Sequence, residues 1–390
     1  MATIPFFPPD LFEQDRQAML DILFEVGTDA EQRFILGRRT AELEEALRQM
    51  TGAGHAVACS SGTGGLNLAV QALDIGPGDE VIVPAFCCQP VASSVANLGA
   101  TPVFVDVDPH TMVMDPEAVE RAITERTRAV MPAHVFSIMA DMPKINKIAE
   151  EHGLTVIEDA AVAQGAVLDG VPSGRWGHLG VFSFFQVKAF GTAGEGGLVL
   201  TDDPELASRV RMLRNHGQDG VNRFLHHRIG QNSRFDEVIA AFQLHRLPGF
   251  EERLERRARI ADYYTERFAP LAERGVTAPP AGRNGRCYYV YSLLAARRGD
   301  LRAWLTEKEI GTHVYYPVPL PEQPAFSRFG NRPGVTEQGA RATDAHQPGG
   351  DSPWPGAQYA SEHNLAIPIW PHLTDAQVEY IADSVCEFFD

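Results

Sequence analysis

The sequence predicts an α/β protein with a large domain, built on a mostly parallel seven-stranded sheet flanked by helices, and a smaller C-terminal α/β domain. From about residue 40 to 245, short apolar runs alternate with amphipathic stretches of helical length, a pattern typical of a parallel sheet with helices on both faces. The chain has 390 residues, 44% of them hydrophobic, and can therefore bury a large core and divide into two domains. We expect the large domain at 1–248 and the small domain at 249–390.

Seven segments of the large domain are short, mostly apolar and rich in β-branched residues, as buried parallel strands are. They lie at 55–59, 80–84, 102–106, 128–133, 154–158, 179–185 and 197–201. Between the strands, apolar residues recur every three or four positions, which predicts amphipathic helices. These helices are expected at 64–73, 115–124, 142–152, 204–213 and 235–247.

The last third of the chain begins with a charged helix, 250–264, that links to the small domain. The final helix of that domain is predicted at 374–389. Residues 328–362 are rich in Gly, Pro, Gln and Asp, with Trp354 among them. We predict a long surface loop there, which could form part of a lid over a substrate.

A single lysine, Lys188, follows the apolar strand that begins near Gly180, and a glycine-rich loop comes after it. Partial burial at a strand end lowers the pKa of a lysine toward the neutral amine, which can attack a carbonyl. A lysine whose stem lies along apolar surface would show the same local pattern. Other segments must therefore decide between the two interpretations.

The strand that ends Thr155-Val-Ile-Glu-Asp159 places a carboxylate where a buried parallel strand opens onto a ligand crevice. A buried carboxylate needs a cationic partner or it becomes protonated. The protonated pyridine nitrogen of pyridoxal phosphate is such a partner. Alternatively, Asp159 could cap the helix that follows.

The run Ser60-Ser-Gly62-Thr63-Gly64-Gly65 joins a short strand to an amphipathic helix. Free N–H groups at the helix start and the Thr63 hydroxyl make a suitable phosphate site. The run partly resembles a dinucleotide-binding fingerprint. However, Asn67 occupies the third glycine position, and the next strand does not end in the acidic residue that binds a ribose, which disfavours a nicotinamide cofactor.

These segments, together with the polar loop before the helix at 235–247, resemble the DegT/DnrJ/EryC1/StrS family of sugar aminotransferases along nearly the whole chain. The matching segments are 37–44, 61–64, 76–84, 99–106, 157–161, 182–184 with Lys188, 194–197, 215–217, 232–234, 316–320 and 365–374. The resemblance implies a fold type I pyridoxal-phosphate enzyme that works as a homodimer, with each active site shared across the interface.

By position, the resemblance assigns a role to each matching residue. Lys188 would bind the cofactor as an imine and then move the proton, and Asp159 would keep the pyridine nitrogen protonated. The phosphate would be held by Thr63, Gly64 and Ser183, and by Asn232 from the neighbouring subunit. Tyr316 and Arg234 are the substrate-binding candidates. Arg223 and Arg228 could join Arg234 against a diphosphate.

The chain also departs from the family pattern. Cys88 occupies the position of the aromatic residue that usually covers the pyridine ring, and Phe86 or Phe185 could replace that stacking. Val162 stands where a Gln usually contacts the cofactor, and Gln164 could supply the polar contact instead. The positions of other customary polar residues hold Phe185, Tyr315 and Pro321. These departures affect how the ring is held and which sugar is bound.

Charge and cysteine content restrict which binding partners and which cellular compartment we expect. Lys and Arg total 34 against 51 Asp and Glu, and the net charge of −17 disfavours nucleic acid or an anionic membrane surface. An odd number of cysteines (59, 87, 88, 287 and 386) indicates reduced thiols in a cytoplasmic protein. The spacing of Cys and His predicts no metal site. The N-terminus has no secretory pattern, and no apolar stretch approaches the length of a membrane span.

The resemblance therefore implies an aminotransferase that converts a nucleotide-linked keto-sugar to an amino-sugar for an antibiotic or a surface glycan, with L-glutamate as amino donor. One alternative is a keto-cyclitol or another natural-product ketone as acceptor. A second is a dehydratase of the same family, which Lys188 disfavours because those members carry His there. A third, of another class, is a non-catalytic sensor or scaffold that binds pyridoxal phosphate or a sugar.

Overall fold

The computed structural model describes residues 3–8, 11–30, 33–136, 138–329 and 352–390. The strands are β1 (His55–Cys59), β2 (Glu80–Pro84), β3 (Thr101–Val105), β4 (Thr127–Val130), β5 (Thr155–Asp159), β6 (Val167–Leu168), β7 (Val171–Pro172), β8 (Leu179–Ser183), β9 (Gly197–Thr201), β10 (Val276–Thr277), β11 (Tyr291–Ala295) and β12 (Asn364–Ile367). The helices are α1 (Arg16–Thr28), α2 (Arg38–Thr51), α3 (Gly62–Ala72), α4 (Pro90–Ala96), α5 (Pro116–Ala122), α6 (Met142–His152), α7 (Pro204–Leu213), α8 (Glu237–Arg246), α9 (Phe250–Phe268), α10 (Arg298–Glu307), α11 (Pro355–His363) and α12 (Asp375–Phe389).

The central sheet has seven strands in the order β1-β9-β8-β5-β4-β2-β3. Neighbouring strands are parallel except at β9, which runs antiparallel to β1 and β8. The predicted mostly parallel, helix-flanked sheet is confirmed. Because β1, β2, β5 and β8 all run in one direction, their carboxyl ends open at the same edge of the sheet.

Four of the helices in the large domain, α3, α5, α6 and α7, begin at residues whose side chains accept from free backbone N–H groups. The Asp141 carboxylate accepts a hydrogen bond from the Lys144 N–H at the start of α6, and Gly153 ends that helix with a φ of +64°. The Asp203 side chain caps α7 in the same way. None of the helices within the described ranges combines the length and apolar character that a membrane span requires.

The small, three-stranded antiparallel sheet β10-β11-β12 packs with α9, α10 and α12 around a second hydrophobic core that includes Tyr264, Phe268 and Tyr291. Ile4 belongs to this second core and pairs with Ile310, and the Gly311 N–H donates to the Ile4 carbonyl at 2.7 Å. The separate core supports a division near residue 249. The domain boundary remains our proposal.

The prediction of a surface loop at 328–362 is wrong for its last part. Pro355–His363 forms α11, and Trp354 is buried, with its indole N–H 3.4 Å from the Phe104 carbonyl. The Asp106 carboxylate, just beyond β3, accepts hydrogen bonds of 2.8 Å from the N–H groups of Gly356 and Ala357. The predicted lid at 330–351 lies outside the described residues.

Candidate active site

Four segments that follow strand ends meet at one edge of the central sheet, as expected for parallel strands. β1 leads into the start of α3, β2 leads to Cys87 and Cys88, β5 ends at Asp159, and β8 runs on to Lys188. The register pairs Cys59 of β1 and Ser183 of β8 with the same residue of β9, Gly197. The predicted phosphate site and the predicted reactive lysine therefore lie on neighbouring parts of the sheet.

Asp159 is buried at the end of β5. Among the described residues, its carboxylate accepts one hydrogen bond, from the Ala161 N–H at 3.1 Å. Burial raises the pKa of this carboxyl group, while the Ala161 N–H and the nearby Lys188 charge oppose that shift. The alternative role as a helix cap is not what the structure shows, because Ala161 begins a turn and not a helix. The carboxylate is thus incompletely paired.

A buried pair, His134 and Glu158, stabilises the backbone around Asp159. The Nε2 atom of His134 lies 2.7 Å from Glu158 Oε1, and the Ala140 N–H donates to His134 Nδ1. Because Nδ1 accepts, the ring proton is on Nε2 and is donated to the glutamate. The His134 N–H also donates to the Asp159 carbonyl at 3.0 Å, which holds the end of β5 in place.

Lys188 lies in a tight turn after β8, where its N–H donates to the Phe185 carbonyl and its carbonyl accepts from the Gly191 N–H. Its Nζ atom lies 4.8 Å from the centroid of the Tyr289 ring. Burial lowers the pKa of this lysine, and negative charge at Cys88 or Asp159 would oppose the shift. A lysine with a lowered pKa is more often neutral, which is the form that attacks a carbonyl.

The start of α3 provides a narrow site for an anion. Ser61 caps the helix by accepting from the Gly64 N–H at 2.9 Å, and the first N–H groups, at Gly62 and Thr63, have no acceptor within the helix. A Cβ atom at Gly62 would lie 2.6 Å from Ser183 Cβ, so Ser183 approaches the helix start closely. Thr63 is exposed at this position. A phosphate could bind here through N–H groups and hydroxyls.

The segment Asn232–Arg234 reaches the same region. The Ser60 N–H donates to the Ser233 carbonyl at 3.1 Å, and the two serine hydroxyls are 2.8 Å apart. Asn232 is exposed and forms a bridge with Asn215. Arg234 Nη1 is 3.5 Å from the Asn215 side-chain oxygen, and its buried Nε has no partner among the described residues.

The two cysteines after β2 face Asp159. The Sγ atoms of Cys87 and Cys88 and a carboxylate oxygen of Asp159 all lie within 4.8 Å of one another. Of the two aromatic candidates for ring stacking, Phe86 is completely buried against Phe136 and the Tyr316 ring. Its faces are therefore occupied by the core, which argues against stacking on a ligand.

Phe185 is 38% exposed beside the lysine turn. Gln164 donates from its amide to the carbonyls of Ser183 and Ala161, and thereby ties the loop after β5 to β8. The Gln164 Oε1 atom is buried and has no hydrogen-bond partner among the described residues, so it can still accept a hydrogen bond from a ligand.

Two of the three arginines considered for a diphosphate lie apart from this cluster. Arg228 pairs with Asp74 at 2.6 Å, and Arg223 is exposed and packs over Phe224. Arg234 is the one of the three that is linked to the Asn232 segment. Tyr316 packs against Phe86 and has a left-handed backbone φ of +46°, a strained conformation often found at functional sites.

Three arginines and a tyrosine near Lys188 were not predicted from the sequence. Arg246, Arg253 and Arg257 line a cavity with Lys188 and Tyr289, and the Arg257 guanidinium donates to the Ile369 carbonyl at 2.9 Å. The arginines lie on or beside α8 and α9, where charged residues are ordinary on a helix. The sequence contains no signal that separates them from solvated arginines.

Comparisons with known proteins agree with this geometry. The family model described as the DegT/DnrJ/EryC1/StrS aminotransferase family matches residues 26–386. A Geobacillus stearothermophilus protein named pleiotropic regulatory protein is 38% identical over 380 residues, which are 97% of this chain and 96% of that protein. The UDP-N-acetyl-3-dehydro-alpha-D-glucosamine 3-aminotransferase of Acidithiobacillus ferrooxidans is 38% identical over 349 residues, 90% of this chain and 88% of its own. The crystal structure of S. venezuelae DesV in complex with a ketimine intermediate has a TM-score of 0.89 and 34% identity, covering 100% of this chain and 99% of that one.

Proposed function

This chain belongs to the DegT/DnrJ/EryC1/StrS aminotransferase family, and on that premise we propose that it transfers the amino group of L-glutamate to the ketone of a nucleotide-linked sugar by means of pyridoxal phosphate. The main support is the position of Lys188 and Asp159 at neighbouring strand ends, beside the free N–H groups of α3. The name of the Acidithiobacillus relative supports a UDP-linked 3-keto sugar as the first acceptor to test.

The residues present fit this cofactor. Asp159 is a buried carboxylate with a single hydrogen bond among the described residues, and a pyridinium N–H would supply the missing positive partner. The first turn of α3, with Thr63, Gly64 and Ser183, would hold the phosphate. In this arrangement Cys88 lies on the side of the site where the ring would be, because its Sγ is close to the Asp159 carboxylate.

The bound cofactor would supply an electron sink for the bond that breaks at the amino carbon. The protein supplies the proton transfer. Burial favours the neutral form of Lys188, whose Nζ can accept a proton. It takes the proton from the donor carbon and later delivers it to the acceptor. The ionised Asp159 carboxylate balances the positive charge of the protonated ring nitrogen and so keeps that nitrogen protonated during the proton transfer.

We also propose a homodimer in which Asn232 contributes to the site of the partner subunit. Large apolar side chains are exposed on α1, where Phe24 is 74% and Leu20 63% exposed, and again in the loop before Asn232, where Ile229 is 90% exposed. Clustered apolar exposure of this kind is typical of a surface that another protein covers. The position of Ile229 close to Asn232 in the chain would bring that residue to the interface.

The visible absorption spectrum with pyridoxal phosphate tests the proposed function. We expect a band from lysine-bound cofactor that decreases when L-glutamate is added, and that is absent in Lys188→Ala. Lys144→Ala is the matched control, since that lysine is 72% exposed on α6. Substantial amino transfer by Lys188→Ala would contradict the assignment. Subsequent turnover with a UDP-linked 3-keto sugar and with a keto-cyclitol would separate the two acceptor classes.

One observation favours a second function. The Geobacillus relative is named as a regulatory protein, which agrees with a regulator that binds the cofactor or a sugar without turning it over. The same spectrum separates the two functions, because a regulator would show the band but would not respond to any amino donor. We place the aminotransferase first because Lys188 and Asp159 are both present and close to one another.

A further inference from the structure

Two adjacent thiols and a buried carboxylate lie together at the floor of the site. The Sγ atoms of Cys87 and Cys88 are 3.9 Å apart, and both lie within 4.8 Å of an Asp159 carboxylate oxygen. Cys87 is buried and Cys88 is partly exposed. The amino-transfer reaction proposed above assigns no chemistry to either thiol.

The spacing of the two sulfur atoms matches a tetrahedral zinc site. With Zn–S bonds of about 2.3 Å and tetrahedral angles, two thiolate sulfurs are separated by roughly 3.8 Å. A carboxylate oxygen at a Zn–O distance of about 2.1 Å would lie roughly 3.6 Å from each sulfur, which a small rotation of the side chains allows. The sequence alone indicated no metal site because the third ligand, Asp159, lies far from the cysteines along the chain.

We propose that Cys87, Cys88 and Asp159 of the cofactor-free enzyme bind a thiophilic divalent cation such as Zn²⁺, with a fourth position open to water. On binding, two S–H bonds break, two protons are released and two Zn–S bonds form, with no change of oxidation state. Two thiolates and the carboxylate carry three negative charges, two of which the divalent cation balances.

Three titratable groups lie near the thiols. Asp159 and Lys188 are close enough to the two cysteines to interact with them electrostatically, and so is the Tyr316 hydroxyl. Burial and the contact with Cys88 raise the pKa of the Cys87 thiol, so without a metal it is protonated at neutral pH. A thiol that binds the cation as a thiolate must give up its proton.

The cation and the cofactor would compete, because both need the Asp159 carboxylate. This competition rests on the proposed function, whereas the metal site rests only on the positions of the three ligands. Zn²⁺ would then act as an inhibitor of cofactor loading and not as a cofactor. The holoenzyme, with the ring in place over Cys88, would be protected from it.

Cobalt is a suitable probe because Co²⁺ bound to thiolates absorbs strongly in the near ultraviolet. We expect the full-length, cofactor-free protein to bind one Co²⁺ per chain with such a band and with release of two protons. Zn²⁺ added afterwards should displace Co²⁺ and remove the band without further proton release. Cys87→Ser and Cys88→Ser should each weaken binding by more than the roughly 10–100-fold that loss of an outer-shell partner costs. Cys386→Ser, on α12, is the matched control and should leave the band unchanged.

Asp159→Asn is a further variant that should weaken the site while its side-chain oxygen still accepts from the Ala161 N–H. Absence of the band in folded wild-type protein, or its persistence in both cysteine variants, would overturn the proposal. Prior loading with pyridoxal phosphate should prevent the band, and a band that forms equally in loaded protein would contradict the shared use of Asp159. Lys188→Ala separates the two proposals, because it should lose the cofactor spectrum and keep the cobalt band.

Discussion

At the scale of single residues, burial sets the chemistry of the two groups that carry the proposed reaction. It raises the pKa of the Asp159 carboxyl and lowers that of the Lys188 ammonium, so each charged form is disfavoured until a partner binds. A bound pyridinium would favour the ionised form of the Asp159 carboxyl group. Covalent attachment to the cofactor would give Lys188 its partner. The site is thus arranged for a ligand that brings a positive ring and a carbonyl.

Asp159→Asn should lower turnover roughly 100-fold or more, because breaking a buried ion pair costs about 3–5 kcal/mol. The fold should be retained, since Asn can still accept the hydrogen bond from the Ala161 N–H. Steady-state kinetics and a thermal unfolding scan of the same preparation check both parts. Near-normal kcat would remove the role that we propose for Asp159.

Lys188→Met should stabilise the cofactor-free protein at neutral pH. Burial lowers the pKa of Lys188 in the folded state, so between that pKa and about 10.4 the unfolded chain binds more protons and wild-type stability rises with pH. The advantage of the variant should therefore shrink as pH rises toward the unfolded pKa. Urea unfolding at several pH values measures this, and an equal difference at every pH would contradict it.

Sequence reasoning could select Lys188, Asp159 and the Gly62–Gly64 run as candidates because each lies at or just after a strand end, where local pattern and position are coupled. It could not identify the proximity of Cys87 to Asp159, or the position of the Tyr289 ring next to Lys188 Nζ. Those contacts join segments that are far apart in the chain, and no periodicity in either segment specifies the other.

At the scale of secondary-structure elements, the strands were predicted closely where both faces are buried. β1, β2 and β9 begin and end where the apolar runs do, because a strand covered by helices on both sides has little polar content. The sequence did not predict α11 because the signal for the start of this helix is not local. Its first turn is capped by Asp106, a residue about 250 positions earlier, and its own sequence offers no capping side chain.

Asp106→Ala should destabilise the protein by about 1–2 kcal/mol, since two N–H groups of α11 lose their acceptor. Asp300→Ala is the control, because that side chain is 66% exposed in a surface ion pair and should change stability by less than about 1 kcal/mol. Urea unfolding gives both values. Equal effects of the two substitutions would mean that Asp106 does not hold α11.

Gly64→Ala should weaken pyridoxal phosphate binding by roughly tenfold or more, as a 1.4 kcal/mol loss would. The added Cβ would lie 2.6 Å from Ser233 Oγ, which the Ser60 hydroxyl holds in place, so the start of α3 must shift. Gly299→Ala in α10 is the control, because its Cβ would meet open space. Cofactor titration distinguishes them, and unchanged affinity of Gly64→Ala would move the phosphate away from α3.

At the scale of the whole molecule, the exposed apolar face of α1 predicts how two chains associate. Phe24→Asp should shift the protein to a monomer, because a charge buried without a partner costs several kcal/mol. Val167→Asp, at another partly exposed apolar site, is the control and should not change the oligomeric state. Analytical ultracentrifugation measures the outcome, and an unaltered dimer in Phe24→Asp would place the interface elsewhere.

A shared active site has a separate signature. Lys188→Ala and Asn232→Ala should each be inactive, and mixing them after dissociation should restore about a quarter of wild-type activity, since half the dimers are hybrids with one intact site. Mixing two preparations of the same variant is the control. No recovery in verified hybrids would mean that Asn232 serves its own subunit.

The pairing of Ile4 with Ile310 bears on how the protein matures during synthesis. The small-domain core is incomplete until the segment at Ile4 joins it, yet the two paired residues lie about 300 residues apart in the chain. At ribosomal speeds of about 5–20 residues per second, Ile4 waits roughly 15–60 s before its partner emerges. During that interval the segment at Ile4 is available to chaperones. The pairing of Ile4 with Ile310 would therefore be a late step of folding.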